Sequence, residues 1–350
     1  MEIVRGSAQI PPGLPSPVVT IGNFDGVHIG HQKIFRTVIA RARALGGTSI
    51  CYTFDPHPQR VLAPDRCPAL IVTLHQKLAL IAAEGMAVTV VEPFTTEFSR
   101  QSAEQFILDV LYGRMRPVEV YVGHDFHFGK GREASFATLE DLGARLSFRV
   151  EVIDEVTVDG GEVSSSRIRR LVAAGQVEEA ARLLGRPFTL EGRVERGAGR
   201  GRGLGIATAN VAVENELLPA DGVYAIIGRV GEASGAPAGA PEGALIPGVA
   251  NIGFAPSFGG ARRTVEAHLL DVDRDLYDLP IEIRLLARLR DERKFPDAGS
   301  LVAQIRRDIE AARRVHAAHG DASPRPPRAR GPAAKGGTAP VGRGPARPEE

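Results

Sequence analysis

VVTIGNFDGVHIGHQ, residues 18–32, sets a short apolar run before a glycine-punctuated loop and the start of a helix. Val18 to Ile21 carry no charge and are mostly β-branched, which reads as a buried strand. After Gln32 the apolar residues Ile34, Val38, Ile39 and Leu45 keep helical spacing until Gly46-Gly47 stops it. A strand feeding a helix through such a loop is the first unit of a parallel sheet. Ligands of such sheets bind at the carboxyl ends of the strands.

Working outward, the alternation continues. TSICYTF, AVTVVEPF, VEVYVG and FRVEVIDEV read as strands, and LHQKLALIAAEG, SAEQFILDVLYGRM and LEDLGARL as the helices between them. This predicts an α/β, doubly wound, Rossmann-like domain. Near Gly185 the pattern changes. FTLEGRVERG, GIATANVAV, GVYAIIGRV, ALIPGVANIG, RRTVEAHLLDV and IEIRLLARL are short runs separated by turn residues, as in an antiparallel β-barrel. Residues 231–243, GEASGAPAGAPEG, read as a flexible hairpin tip. SLVAQIRRDIEAARRVHAA supplies one amphipathic terminal helix, and beyond His319 the chain is rich in Pro, Gly, Ala and Arg. That last stretch has too few large apolar residues to order itself. The expected division is residues 1–184, 185–318 and a disordered tail at 319–350.

The 350 residues fit two domains better than one core. With 43 basic and 42 acidic residues, net charge +1, nothing global draws the chain to nucleic acid or an anionic membrane. An anion must therefore be held by a local site. Cys51 and Cys67 are no disulfide framework for this length and suit a reducing compartment. No stretch approaches the roughly 18 apolar residues of a membrane span, and the amino terminus lacks a signal-peptide core. A cytoplasmic protein is expected. Oligomeric state is not legible.

Gly22, Gly26 and Gly30 permit close backbone approach to a ligand. His28 and His31, three apart at a helix start, can share one face. The helix N-terminus favours a phosphate, and two imidazoles beside it can stabilise charge building on phosphorus. From the residues alone, structural or zinc-bound histidines stay open, although catalytic zinc wants three protein ligands. GHDFHFGKG, residues 123–131, is no Walker loop: it has one residue too many before Gly129-Lys130, and Gly131 stands where Ser or Thr should be. Asp125, Phe126 and Phe128 suit contact with a base or flavin ring, or a place in the core. Ser164, Ser165 and Ser166 precede a helix bearing Arg167 and Arg169. They can cap it, hold phosphates, or both.

In the second half GRGLGIATAN, residues 201–210, lacks the dinucleotide spacing and precedes a strand. For Thr208 the plain reading is strand propensity. Glu266 lies in a strand among apolar residues, where it is either a proton acceptor or paired with Arg262 or Arg263.

GNFDGVHIGH resembles the HxGH signature of nucleotidyltransferases in the form carried by prokaryotic bifunctional riboflavin kinase/FAD synthetases. YTFDPHP, GHDFHFGKGR and VSSSRIRRLV are similar to further motifs of that family, with Ser166 for its usual Thr. GRGLGIATAN, GVYA, GVANIGFAPSF, VEAHLLDVDRDLYD and LRDERKF resemble its flavokinase motifs, so the likeness runs from Val18 to Ala312. It implies phosphorylation of riboflavin to FMN and adenylylation of FMN to FAD, with ATP, riboflavin and FMN as small-molecule substrates. It implies catalytic roles for Glu266, His28 and His31, and Mg2+ at Thr208 and Asn210. It implies ATP or flavin contacts at Gly22, Asn23, Phe24, Asp25, Gly30, Gly123, Asp125, Phe126, Ser165, Ser166 and Arg169, and at Gly203, Gly205, Asn251 and Arg290. Arg169 is favoured over Arg170. Three departures bear on the kinase. Ala207 replaces Pro, loosening a turn by about 0.4–1 kcal/mol. Ser257 replaces Thr, and Asp278 replaces a Gly whose backbone freedom it forfeits. A monofunctional adenylyltransferase and a non-catalytic flavin sensor are the alternatives.

Overall fold

The computed structural model describes residues 1–196, 206–231, 243–257, 260–272 and 275–319. Gly203, Gly205, most of the 231–243 hairpin tip and residues 320–350 lie outside the described residues.

Six parallel strands form the first sheet: β1 (Glu2–Arg5), β2 (Val18–Ile21), β3 (Ser49–Asp55), β4 (Val88–Pro93), β5 (Glu119–Gly123) and β6 (Arg149–Ile153), in the order β1-β4-β3-β2-β5-β6. β1 is an addition to the sequence reading, paired in parallel with β4 from Glu2↔Val88 to Arg5↔Val91. Neighbouring residues on the inner strands face opposite ways. Val18, Cys51 and Tyr121 pack with helix α1 (Ile29–Ala44) and Ile81 of helix α2 (Leu74–Glu84). Val19, Ile50, Tyr52, Val120 and Val122 pack on the opposite face. There they meet the helical segment Ala103–Met115, most of it π-helix, and α4 (Phe136–Arg145), numbering that segment α3. The sheet is thus covered on both sides, which is why its central strands read as unbroken apolar runs.

Two further helices, α5 (Ser165–Ala173) and α6 (Val177–Leu184), lead into the barrel. Gly185 ends α6 in the left-handed region at φ 71°, the usual way to terminate a helix. The barrel is closed and antiparallel: β7 (Phe188–Glu195), β8 (Ala209–Val213), β9 (Gly222–Val230), β10 (Ile246–Ser257), β11 (Gly260–Leu269) and β12 (Pro280–Arg290) follow the order β7-β8-β11-β10-β9-β12. Closure leaves no free sheet edge. Tyr224, Ile226, Ala250, Ile252, Val265 and Ala267 belong to its core. Ile168, Val172, Ala180 and Leu183 belong to the same cluster, so α5 and α6 pack on the barrel and the apolar core continues across the junction near 184. Helix α7 (Ala298–His319) covers the outer barrel surface, where Ala312 meets Val223, Ala225, Val249 and Leu286.

Asp278 holds the left-handed conformation, φ 62°. The expected loss of the glycine conformation therefore does not occur, because Asp tolerates this region better than most residues. Among the described residues no helix is long and apolar enough to cross a membrane.

Candidate functional site

The first site lies where chain order reverses between β2 and its neighbours β3 and β5, the position at which open α/β sheets take ligands. The loop after β2 is tightly constrained. Phe24 and Val27 have φ values of 50° and 41°, and a β-branched residue in this region is an outlier of the kind concentrated at functional sites. A Cβ on Gly22 would lie 2.9 Å from the Phe24 ring, so this glycine is a packing requirement.

His28 is the N-cap of α1, its Nδ1 accepting from the His31 N–H at 3.4 Å. The two rings stack with centroids 3.5 Å apart and planes at 21°. Phe24 meets His31 edge-on, at 5.2 Å. Burial lowers the His28 pKa to about 4, with Arg186 and Arg169 adding to it. Burial likewise holds His31 well below its usual value, followed by His28, Arg186 and Lys77. Both rings are neutral near pH 7. His31 Nδ1 is buried without a hydrogen-bond partner among the described residues.

Around this pair the structure gathers several predicted residues. Asp25 is buried, and its carboxylate accepts from the Ile71 and Val72 N–H groups and from Arg169 Nη2 at 2.6 Å. Arg169 also donates through Nε to Ala69 O. Asp25 and Arg169 therefore hold each other and the segment 69–72. Ser164 caps α5, accepting from Arg167 N–H, and Ser165 Oγ donates to Asp25 O at 2.9 Å. Asn23, Ser166 and Arg170 are exposed. Gly123 ends β5, beside β2, and Asp125 follows it; a Cβ on Gly123 would lie 3.3 Å from Asp125 Oδ1. A Cβ on Gly30 would meet His28 Nδ1 at 3.1 Å. Phe126 and Phe128 stack on each other at 5.2 Å and pack against the core, and Phe128 continues through Phe106 to Tyr52, Phe54, Phe94 and Phe98.

Sequence reading missed two cations here. Lys77 Nζ donates to Phe54 O, Thr53 Oγ1 and Asn23 O, and burial lowers its pKa. Arg186 donates to Gly26 O, Val27 O and Leu184 O. Apart from Leu184, their partners are distant in sequence, so no local pattern announces them. Among the described residues, three His, Cys, Asp or Glu ligand atoms come within 4.8 Å of one another only at His124, Glu155 and Glu162. That group contains neither His28 nor His31, so the zinc reading of the pair finds no third ligand.

The second site is on the barrel. Asn210 of β8 lies opposite Glu266 of β11, and Glu266 lies opposite Asn251 of β10. Directly paired strand residues share a face, so three polar side chains form a row across three adjacent strands. Val265 and Ala267 turn into the core and Glu266 is half-buried on the other face. The row runs on through Val223 of β9 to Arg290 of β12. Thr208 precedes β8 and lines a small cavity with Val194, Ala209, Ala267, Leu269 and Tyr277, so the structure does not bring it into this row. The alternative Glu266–Arg263 pair does not form, because Arg263 bonds Asp221 Oδ1 through Nη2 at 2.6 Å. The side chain of Arg262 lies outside the described residues. Arg290 is engaged in a fork with the buried Asp308, through Nε at 3.0 Å and Nη2 at 2.9 Å, with Nη1 on Asp291 O. It anchors α7 to the barrel.

Residues 12–167 match the FAD synthetase family and residues 184–316 match the riboflavin kinase family. Fold, sites and matches together define a class: a two-domain transferase with a nucleotidyltransferase half and a kinase half. The bifunctional riboflavin kinase/FMN adenylyltransferase of Pseudomonas fluorescens is 36% identical over 318 residues, covering 91% of this chain and 98% of that protein. The protein of the same name from Escherichia coli is 36% identical over 315 residues, covering 89% and 97%. A crystal structure from Streptococcus pneumoniae, titled a macrolide-efflux protein, superposes with a TM-score of 0.78 at 28% identity, over 89% of this chain and 99% of that one. The chain belongs to the family of bifunctional riboflavin kinase/FMN adenylyltransferases.

Proposed function

We propose that this protein converts riboflavin to FMN at the barrel row and FMN to FAD at the histidine pair, using ATP in each step. The observation that carries this reading is that both halves of one chain match, one to each activity. In the barrel, Glu266 accepts the proton of a ribityl hydroxyl as that oxygen bonds the γ-phosphorus of ATP and ADP leaves. Asn210 offers a neutral oxygen donor beside Glu266, and Thr208, two residues earlier, is assigned with it through the family motif; such donors suit Mg2+ together with nucleotide phosphates. Bound there, Mg2+ neutralises phosphate charge. Asn251 flanks the same carboxylate from the other strand. Gly203 and Gly205 are assigned to the ATP phosphates through the family motif.

In the α/β domain a phosphate oxygen of FMN bonds the α-phosphorus of a second ATP, and pyrophosphate leaves. His28 and His31, as neutral imidazoles, donate to the oxygens on which charge grows. Gly22, Asn23 and Gly30 line the approach, and exposed Ser166 at the start of α5 faces phosphate. Gly123, Asp125 and Phe126 border the ring-binding side. Asp25, Ser165 and Arg169 fix the loop and the helix start. A division at 184/185 separates the two chemistries, and small-molecule substrates such as ATP and riboflavin suit a protein of the cytoplasm.

Chromatography of products from riboflavin, ATP and Mg2+ tests the reading directly: FMN appears first and FAD follows. His31→Ala lowers FAD formation by roughly 10²–10³ while FMN formation survives. Equal loss of both activities would overturn the assignment of sites. FAD made from supplied FMN with no FMN made from riboflavin, or flavin bound without ATP turnover, would support the monofunctional adenylyltransferase and sensor readings respectively.

A further inference from the structure

Arg186 sits at the junction between the two domains, between Gly185, which ends α6, and Pro187, which precedes β7. Its guanidinium turns back toward the histidine loop. Nη2 donates to Gly26 O at 2.6 Å, and Nη1 donates to Val27 O at 3.1 Å and Leu184 O at 3.2 Å. Among the described residues its hydrogen-bond partners are all main-chain carbonyls. Burial draws its pKa down to about 10, so it remains a cation near neutrality. A half-buried cation satisfied by carbonyls alone is costly unless something offsets its charge.

Two observations locate the offset. Val27 is a β-branched residue at φ 41°, immediately before His28, and its carbonyl accepts from both Arg186 and Gln32 Nε2, the latter at 3.0 Å. Gln32 also donates to Leu184 O at 2.9 Å, so the two side chains clamp the strained peptide to the end of α6. The other observation is the partnerless, buried Nδ1 of His31, in the first turn of the helix that this loop enters. A strained loop, an unsatisfied ring nitrogen and a cation hydrogen-bonded only to main-chain carbonyls converge where an anion belongs.

We propose that Arg186 is a positioning residue for adenylyl transfer: from the domain junction it holds the Gly26–Val27 backbone in the conformation that presents His28 and His31 to a nucleotide phosphate. The inference rests on the reading that the α/β domain adenylylates FMN. The charged groups facing the pair are Arg186 and Arg169 toward His28, and Arg186 and Lys77 toward His31, while Glu84 of α2 faces Arg186. Removing the Arg186 charge relieves part of the force that keeps both rings neutral.

The test uses the full chain with Arg186→Met and Arg186→Lys, measuring FAD formation from FMN and ATP between pH 5 and 8. FMN formation from riboflavin is measured in parallel. Arg186→Met is expected to lower kcat for FAD formation by roughly 10²-fold, the scale of a misplaced reacting group. The acid limb of its pH profile moves to higher pH, and FMN formation stays within about twofold of the parent. Arg186→Lys keeps the charge but reaches fewer carbonyls, so it restores part of the rate and the parent acid limb. FAD formation within twofold of the parent in Arg186→Met, or both activities falling together in both variants, overturns the proposal. A parent protein that makes no FAD would instead overturn the reading on which it rests.

Discussion

Asp25 and Arg169 form an ion pair, Oδ2 to Nη2 at 2.6 Å, with side chains only 7% and 15% exposed. Neither charge is free. The Asp25 carboxylate also receives the Ile71 and Val72 N–H groups, and Arg169 also holds Ala69 O. The pair ties the loop after β2 and helix α5 to segment 69–72. Glu216, from the loop after β8, reaches the same segment by accepting from Leu70 N–H. Contacts from both domains thus converge on the backbone behind the histidines.

Asp25→Ala should strand a buried guanidinium and two buried amide donors. The expected cost is about 3–5 kcal/mol, the usual range for breaking a buried pair from one side. Combining it with Arg169→Met should recover part of that loss, since a buried pair is often replaceable by apolar groups. Urea midpoints of the parent, single and double variants measure this. A single variant as stable as the parent would contradict the pairing.

The histidine pair predicts an acid limb in stability. The unfolded chain protonates His28 near the ordinary imidazole value of 6.5, while the folded loop resists protonation down to about 4. Between those values the unfolded state binds more protons, so stability falls as pH falls through the window. His28 alone contributes about 3 kcal/mol to this loss at its lower end. His31, also lowered, acts in the same direction. His28→Asn keeps an N-cap acceptor and should flatten the limb. Denaturation midpoints between pH 7.5 and 4.5 report it, and an unchanged slope in the variant would count against a neutral buried His28.

Much of this architecture is legible in the chain. The unbroken apolar runs of β3 and β5 and the turn-separated runs of the barrel carry the two sheet types, because burial on one or both faces leaves its period in the sequence. Glu2–Arg5 does not announce itself: four residues are too few for a period, and β4, which completes the strand, lies more than eighty residues on. HIGH marks the helix start and the paired rings, but not that Asp25 is spent on Arg169 or Arg290 on Asp308. Those depend on where distant segments meet. Arg186 shows the same limit, since Val27 is 159 residues away. The one local hint is an arginine between a helix-ending glycine and a proline.

Asp278 offers a test of the departures in the kinase half. It already occupies the left-handed conformation, with its carbonyl accepting from Arg193 Nη1 at 3.0 Å. Asp278→Gly removes the strain of a side chain there but loosens the unfolded chain, so the net change should stay within about 1 kcal/mol. FMN formation should stay within about twofold of the parent. A large gain in rate would mean that Asp278 does impair the kinase.

Glu266 sits between Asn210 and Asn251 on neighbouring strands, without the Arg263 partner that would make it a surface ion pair. Glu266→Gln keeps the shape and hydrogen-bonding reach of the side chain but cannot take a proton at neutral pH. FMN formation should fall by roughly 10²–10⁴, the usual contribution of general acid–base catalysis. Because the row lies on the barrel and the histidines on the sheet, FAD formation from supplied FMN should not change. Thermal midpoints should match, since the substitution leaves no buried charge unpaired. If FAD formation fell in step with FMN formation at unchanged stability, the barrel and the sheet would be one catalytic unit, and the separation of the two chemistries would fail.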